Sequence, residues 1–187
     1  MVGRKNNRRT QYTIAAIKEA FLTLLKDTDL SKITVTEICK LADVNRGTFY
    51  IHFSDPFDLY QKIELDLTEQ IKPILAMKPQ DQLHDWLQRL ILLFKENEAA
   101  SRIILANYQN SKMVNDIFSE VHEAAMKDFS ILFNEQNPLL LEYYFTYFVK
   151  GTIGTILDWM ENDQETSVEE ITDVLSNLIS TFTRKTD

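Results

Sequence analysis

Apolar residues recur at helical spacing along nearly the whole chain, and no stretch of useful length alternates as a strand would. Ile14, Ile17, Phe21, Leu24 and Leu25 mark the buried stripe of a first long helix that starts near Thr10. A break at Asp27-Thr28-Asp29 leads into residues 34–53, where two short helices are expected. Leu59, Ile63, Leu67 and Ile71 then step by four through a fourth helix after Asp55, which Pro73 should end or kink. Leu83, Trp86, Leu87, Leu90, Ile91 and Phe94 form a strongly amphipathic fifth helix. A shorter sixth covers Ser101–Tyr108, and a seventh carries Val114, Ile117, Phe118, Val121, Ala125, Phe129 and Leu132. Asn137-Pro138 opens the eighth, which runs to about Glu161. The ninth begins at Ser167, capped by Glu170, and carries Ile171, Val174, Leu175, Leu178 and Phe182.

Residues 34–53 have the local chemistry of a helix-turn-helix. Thr34 and Glu37 are spaced as a capping box, in which hydroxyl and carboxylate each bond the other's backbone N–H. Ile33 and Ile38 stand at the positions of a hydrophobic staple around it. Ile38, Leu41 and Ala42 give the first short helix its apolar side. Asp43 falls where the turn needs a left-handed residue, which Asp tolerates better than most. Val44 plugs the gap between the helices, and Asn45 is a good N-cap for the second. Phe49 and Phe53, four apart, should point into the core. That leaves Arg46, Thr48, Tyr50 and His52 to point elsewhere, as on a helix that enters a DNA major groove. A capped helical hairpin also occurs in domains that touch no DNA. The chain as a whole is expected to be all-α with about nine helices. An arm and helix-turn-helix domain would cover residues 1–55, and a helical regulatory and dimerisation domain residues 56–187.

Two features of the C-terminal part suggest further partners. Helix eight is apolar on more than one side, through Phe145, Phe148, Val149, Ile153, Ile156, Leu157 and Met160. Gly151 and Gly154 would let another backbone approach closely. A second subunit is the simplest cover for such a helix, although a central helix buried within one subunit would show the same pattern. Aromatic residues concentrate between Trp86 and Phe148 and could line an apolar pocket with polar tips. Tyr108, Phe118, Tyr144 and Phe148 are the candidates for contacts to an apolar or aromatic small molecule, neutral or cationic rather than a phosphorylated sugar.

The net charge of −8 at first argues against a nucleic-acid partner, but its distribution answers this. Residues 1–53 hold nine Lys/Arg against five Asp/Glu, a balance of +4, and the remainder eleven against twenty-three, a balance of −12. A basic head on an acidic body suits DNA binding at one end. Arg4, Lys5, Arg8 and Arg9 form the sharpest basic run, either a solvated tail or an arm that reaches phosphates. The single cysteine, Cys39, excludes an internal disulfide framework and reads as a buried structural thiol. No secretory signal or apolar run of membrane-spanning length is visible, so a cytoplasmic protein with no membrane partner is expected. There is no Gly-rich phosphate loop, no Gly-x-Ser-x-Gly elbow and no Cys-x-x-Cys. His52, His84 and His122 are too scattered for a metal site. The expectation is no enzyme, no metal and no cofactor.

Ile33-Thr-Val-Thr-Glu-Ile38, Val44-Asn-Arg-Gly-Thr-Phe-Tyr-Ile-His-Phe53 and Asp55-Pro-Phe-Asp-Leu-Tyr60 resemble the N-terminal domain of the TetR/AcrR (tetracycline-repressor-like) family. A weaker similarity covers Gly151-Thr-Ile-Gly154, Asp158-Trp159 and Ser167-Val-Glu-Glu170, which resemble the last two helices of the subgroup with a short regulatory domain. The resemblance implies an all-helical homodimer that binds a double-stranded operator and gains or loses DNA when a small molecule binds, with repression the favoured sign. It assigns DNA contacts to Thr36, Asn45, Arg46, Gly47, Thr48, Tyr50 and His52: bases and groove for Arg46, Thr48 and Tyr50, phosphate for Thr36 and His52. It also favours a four-helix bundle of helices eight and nine from two subunits, with Gly151, Gly154, Ile156, Trp159, Leu175 and Phe182 at the interface. The chain departs from the family pattern at Asp43, where Gly is frequent, and at Pro56, where a Lys often meets a phosphate. The rival expectation is a family-like interaction protein or co-activator that binds another regulator instead of DNA.

Overall fold

The computed structural model describes residues 3–77, 83–163 and 165–183, with the backbone alone for 3–7 and 182–183. Among the described residues there are nine α-helices and no strand. They are α1 (Gly3–Leu25), α2 (Val35–Leu41), α3 (Arg46–His52), α4 (Pro56–Leu75), α5 (Leu83–Glu96), α6 (Glu98–Ala106), α7 (Lys112–Leu132), α8 (Pro138–Asn162) and α9 (Val168–Thr183). Single 3₁₀ turns lie at Leu30–Lys32 and Tyr108–Asn110. The chain forms two compact units, residues 1–66 and 67–187, and the division falls inside α4.

Three expected boundaries are corrected. α1 begins at Gly3 and not near Thr10, because the Arg- and Asn-containing segment before Thr10 carries no Pro or other breaker to stop the helix. α4 continues past Pro73 to Leu75. Proline in the final turn removes a single N–H, and the ladder resumes with Ala76 N donating to Lys72 O at 3.1 Å. α6 runs from Glu98 to Ala106 and not from Ser101 to Tyr108, with the single residue Asn97 between it and α5 and with Tyr108 in the 3₁₀ turn that follows.

In the first unit α1 packs on α2 and α2 on α3. Ile17, Phe21, Ile38, Phe49 and Leu59 are wholly buried, with Ile33 and Phe53 close behind. The predicted caps form. Glu37 N donates to Thr34 Oγ1 at 3.3 Å, while Glu37 Oε2 accepts from Thr34 N at 2.9 Å. These bonds hold the Glu37 carboxyl below its usual pKa, the Thr34 side chain contributing most. α2 closes with Asp43 at φ +52°, and Val44 N reaches back to Cys39 O at 3.0 Å, a Schellman closure. α4 opens as expected with Asp55 as N-cap and Pro56 as its first residue. Asp58 N donates to Asp55 Oδ1 at 2.9 Å, and Asp58 Oδ2 accepts from Ser54 N at 2.8 Å. Lys18 of α1 pairs with Asp66 of α4.

In the second unit α5 packs most extensively on α9, and α7 on α8 and α9. Trp86, Leu90, Ile91 and Phe94 are buried on α5, with Leu175 and Ile179 on α9. His84 Nε2 lies 2.9 Å from Asp173 Oδ1, joining α5 to α9. Phe133 stacks on Tyr144 at 4.2 Å between ring centroids and Phe118 meets Phe145 edge-on at 6.3 Å, both across α7 and α8. α7 ends in a second left-handed closure, with Asn134 at φ +49° and Glu135 N bonded to Ser130 O at 3.1 Å. Asn137 caps α8 through Leu139 N, and Ser167 with Glu170 forms a capping box for α9.

The turn after α2 yields a first prediction. A β-branched residue is disfavoured at positive φ, so Asp43→Val should destabilise the protein by about 1–2 kcal/mol and Asp43→Gly should not. Denaturant unfolding of the two variants by circular dichroism checks this. The capping boxes give a second. Glu37 has a lowered folded-state pKa, so its contribution is complete above the unfolded-state value and is lost as pH falls through the folded one. Glu37→Gln should therefore be less stable than the parent at neutral pH, and the gap should close in acid. Urea midpoints measured across the acid range would show a constant gap if the carboxylate contributes nothing.

Candidate nucleic-acid interface and cavities

α3 is only seven residues long, and its orientation is fixed from behind. Phe49 is wholly buried and meets Phe53 at 5.6 Å between ring centroids. With about 100° of rotation per residue, burying Phe49 turns its neighbours outward. Asn45, Arg46, Gly47, Tyr50 and Ile51 are exposed, while Thr48 and His52 are half-buried. Thr36 is exposed in the first turn of α2. The seven DNA candidates thus lie on the helix-turn-helix of one compact unit, five of them on α3 itself.

Several of these side chains are already engaged. Asn45 Oδ1 accepts from Thr48 N at 2.8 Å and from Thr48 Oγ1 at 3.1 Å, so both residues build the cap of α3. A Cβ at Gly47 would lie 3.2 Å from Asn45 Oδ1, so glycine gives that cap its room. Arg46 Nη2 donates to Tyr50 Oη at 3.2 Å, and its guanidinium carbon lies 5.9 Å from the Tyr50 ring centroid. This hydrogen bond raises the Arg46 pKa further. The pair presents a cation and a phenol one helical turn apart, a combination suited to base edges and phosphates. Lys62 is not a substitute for the family lysine displaced by Pro56. Its ammonium donates to His52 O at 2.9 Å and to Asp58 Oδ2 at 3.0 Å. Burial pushes the Cys39 thiol up, in keeping with an inert structural residue.

Sequence reasoning missed Ile51, which is 76% exposed beside Tyr50. An isoleucine reads as core by default. The available signal was its angular position: once Phe49 and Phe53 are fixed inside, residue 51 must point away. An exposed methyl-rich side chain on such a helix suits the thymine methyl group.

The second unit holds two adjoining cavities. One, of about 530 Å³, lies among α5, α7, α8 and α9 and includes Trp86, Phe118, Ala125, Asp128, Phe129 and Phe148 in its wall. The other, of about 570 Å³, includes Phe133, Tyr144, Tyr147, Gly151, Thr155 and Leu178. Phe129, Phe148, Thr152 and Ile179 line both. Of the ligand candidates, Phe118 lines the first cavity, Tyr144 the second and Phe148 both, whereas Tyr108 sits in a 3₁₀ turn outside either. The indole Nε1–H of Trp86 is buried with no hydrogen-bond acceptor among the described residues.

The interface candidates divide. Gly151 and Gly154 are exposed, with nothing within 4 Å of the place a Cβ would take. Ile156, Trp159 and Leu175 are buried in the protomer's own core. Trp159 Nε1 donates to Thr166 O at 2.9 Å, and the Lys95 ammonium lies 5.1 Å from the Trp159 ring centroid. The Phe182 side chain lies outside the described residues. The exposed apolar surface comes instead from Leu139, Tyr143 and Tyr147 of α8 and Val174 and Leu178 of α9. Tyr143, Tyr147, Gly151 and Gly154 follow one another on a single face of α8. Among the described residues no helix is long and apolar enough to cross a membrane, and no group of His, Cys, Asp or Glu could hold a metal ion.

Comparison with known proteins agrees with this architecture. Residues 81–181 match a TetR-type family model described as the transcriptional regulator C-terminal region. A Bacillus subtilis (strain 168) protein, the uncharacterized HTH-type transcriptional regulator YxbF, is 26% identical over 173 residues. The match covers 89% of this chain and 44% of that protein, so the chain spans less than half the length of this relative. A TetR transcriptional regulator from Streptococcus agalactiae 2603V has the same fold, at 23% identity and a TM-score of 0.54, covering 93% of this chain and 97% of that one. A transcriptional regulator from Aquifex aeolicus VF5 also shares it, at 18% identity and a TM-score of 0.57, covering 90% and 98%. The chain belongs to the TetR family of helix-turn-helix transcriptional regulators.

Proposed function

We propose that this regulator acts as a homodimeric repressor, placing α3 of each subunit in the major groove of an operator and releasing it when a small molecule occupies the second unit. The observation that carries the DNA reading is the outward row of Arg46, Gly47, Tyr50 and Ile51 on a helix held by the buried Phe49. Arg46, Tyr50 and Ile51 then face bases and groove, while Thr36 and His52 face phosphates. Thr48 and Asn45 act mainly by fixing the start of α3. In a dimer the two recognition helices must stand about 34–36 Å apart to reach successive groove faces. The ligand acts on that separation through α4, the helix in which the two units meet along the chain. Repression is the simplest result of a small dimer covering a promoter. An interaction protein that binds another regulator would not need an exposed Arg–Tyr pair on α3, and no observation favours that reading.

For the dimer we take the outer face of α8 and α9 as the contact surface. Its aromatic N-terminal half and open glycines offer a broad apolar patch, with room for a second α8 to approach at Gly151 and Gly154.

Arg46→Ala and Tyr50→Ala should each weaken operator binding by about tenfold to a hundredfold, with Ile51→Ala losing discrimination at a thymine position. None of the three should alter thermal unfolding, because none is buried. Mobility shifts on the DNA upstream of the gene, read beside melting curves, test this. Unchanged affinity in all three folded variants would sink the DNA assignment. Gly154→Leu should give a monomer of undiminished helicity, since leucine is the better helix former and the space is open. Light scattering after size exclusion reads the mass, and a wild type that is already monomeric at micromolar concentration would remove the dimer.

A further inference from the structure

The effector's chemistry rests on the function proposed above, with the cavity among α5, α7, α8 and α9 taken as the place in the second unit that receives it. Among the described residues, Asp128 of α7 is the sole charged side chain in the wall of either cavity. It is half-buried, and among the described residues it makes neither a hydrogen bond nor an ion pair. The wall around it is aromatic, with Trp86, Phe118, Phe129 and Phe148. In the open cavity water can solvate the carboxylate. A ligand that fills the cavity displaces that water and must replace what it removed.

We propose that the effector is an apolar molecule carrying a cationic nitrogen, protonated or quaternary, which it sets against Asp128. A neutral hydrocarbon would leave the carboxylate desolvated without a counter-charge, and that costs free energy. An anionic head group would bring like charge to a cavity with no basic residue in its wall among the described residues. A cation supplies the missing counter-charge and also sits well over aromatic faces. Charge on a larger scale acts the same way, since residues 67–187 hold ten Lys/Arg against nineteen Asp/Glu and attract cations to the unit. The shared wall of Phe129, Phe148, Thr152 and Ile179 gives an apolar tail a path towards the second cavity.

The test uses the full chain and two probes with the same tail, decyltrimethylammonium and decanoate, each titrated calorimetrically below its micellar concentration. Two variants separate the cavity from the charge. Asp128→Asn keeps the shape and removes the charge. Ala125→Phe fills the cavity, and Ser180→Phe fills it from α9 if the first variant folds poorly. The expected result is that the wild type binds the ammonium about tenfold tighter than the carboxylate. Asp128→Asn should abolish that preference with its melting temperature unchanged, and the filled variant should lose both probes. Equal or tighter binding of decanoate, or a preference that survives Asp128→Asn, overturns the cationic class while leaving the cavity as a ligand site. If the filled variants bind both probes as the wild type does, the cavity reading itself fails and the inference with it.

Discussion

Phe49 sets what the helix-turn-helix can present. A helix of seven residues has no stability of its own in water and takes its orientation from what it buries. Here one aromatic ring is wholly enclosed, and Phe53 one turn later is nearly so. The remaining positions have no freedom. Tyr50 and Ile51 are turned away because residue 49 is inward, and the Arg46–Tyr50 hydrogen bond arises because residues four apart share a face. Asp43 completes the constraint from the other side. Its positive φ lets the chain reverse within a few residues, so that α3 starts directly at the Asn45 cap.

The same economy governs the other helix ends. Thr34 with Glu37, Asp55 with Asp58, and Ser167 with Glu170 each satisfy backbone N–H groups that would otherwise need water. Glu37 and Glu170 are held below their ordinary pKa by donors from the cap residues Thr34 and Ser167, and Asp58 by the Ser54 backbone N–H and then the Lys62 ammonium. Short connections follow, and short connections define where each helix begins. For α3 that definition bears on the proposed DNA contacts, because a shift of one residue in its start would turn Arg46 and Tyr50 about 100° around the helix axis.

In the second unit the apolar surplus of α8 is divided three ways. Leu141, Val149, Ile153, Ile156 and Trp159 face the protomer's core. Tyr144, Phe148 and Thr152 line cavities, Tyr143 and Gly154 face outward, and Tyr147 and Gly151 do both, being exposed while lining the second cavity. One helix therefore borders both the space proposed for the effector and the surface proposed for a second subunit. A molecule that changes the packing of Phe148 acts on the helix that carries the outer face. This proximity gives a physical route from ligand to assembly without any long-range relay.

The amino-acid order alone determined the local features. The Thr34–Glu37 box, the left-handed Asp43, the Asn45 cap, the start of α4 at Asp55-Pro56 and the buried stripe of α5 depend on interactions within a few residues, so short-range chemistry suffices to read them. The family was legible for the same reason, since the Gly47-Thr-Phe-Tyr50 motif is one local unit. Tertiary structure decided what periodicity cannot reach. Ile156 read as part of a surplus apolar face of α8 and is buried in the protomer, because α5, α6 and α7 surround one side of the α8–α9 pair, and no pattern within α8 specifies which side. Tyr108 fell outside the cavities and Asp128 inside one, since a cavity is bounded by residues distant in sequence. Ile51 gave the same lesson in reverse. Its hydrophobicity pointed inward, and only the fixed rotation of α3 shows that there is no room for it there.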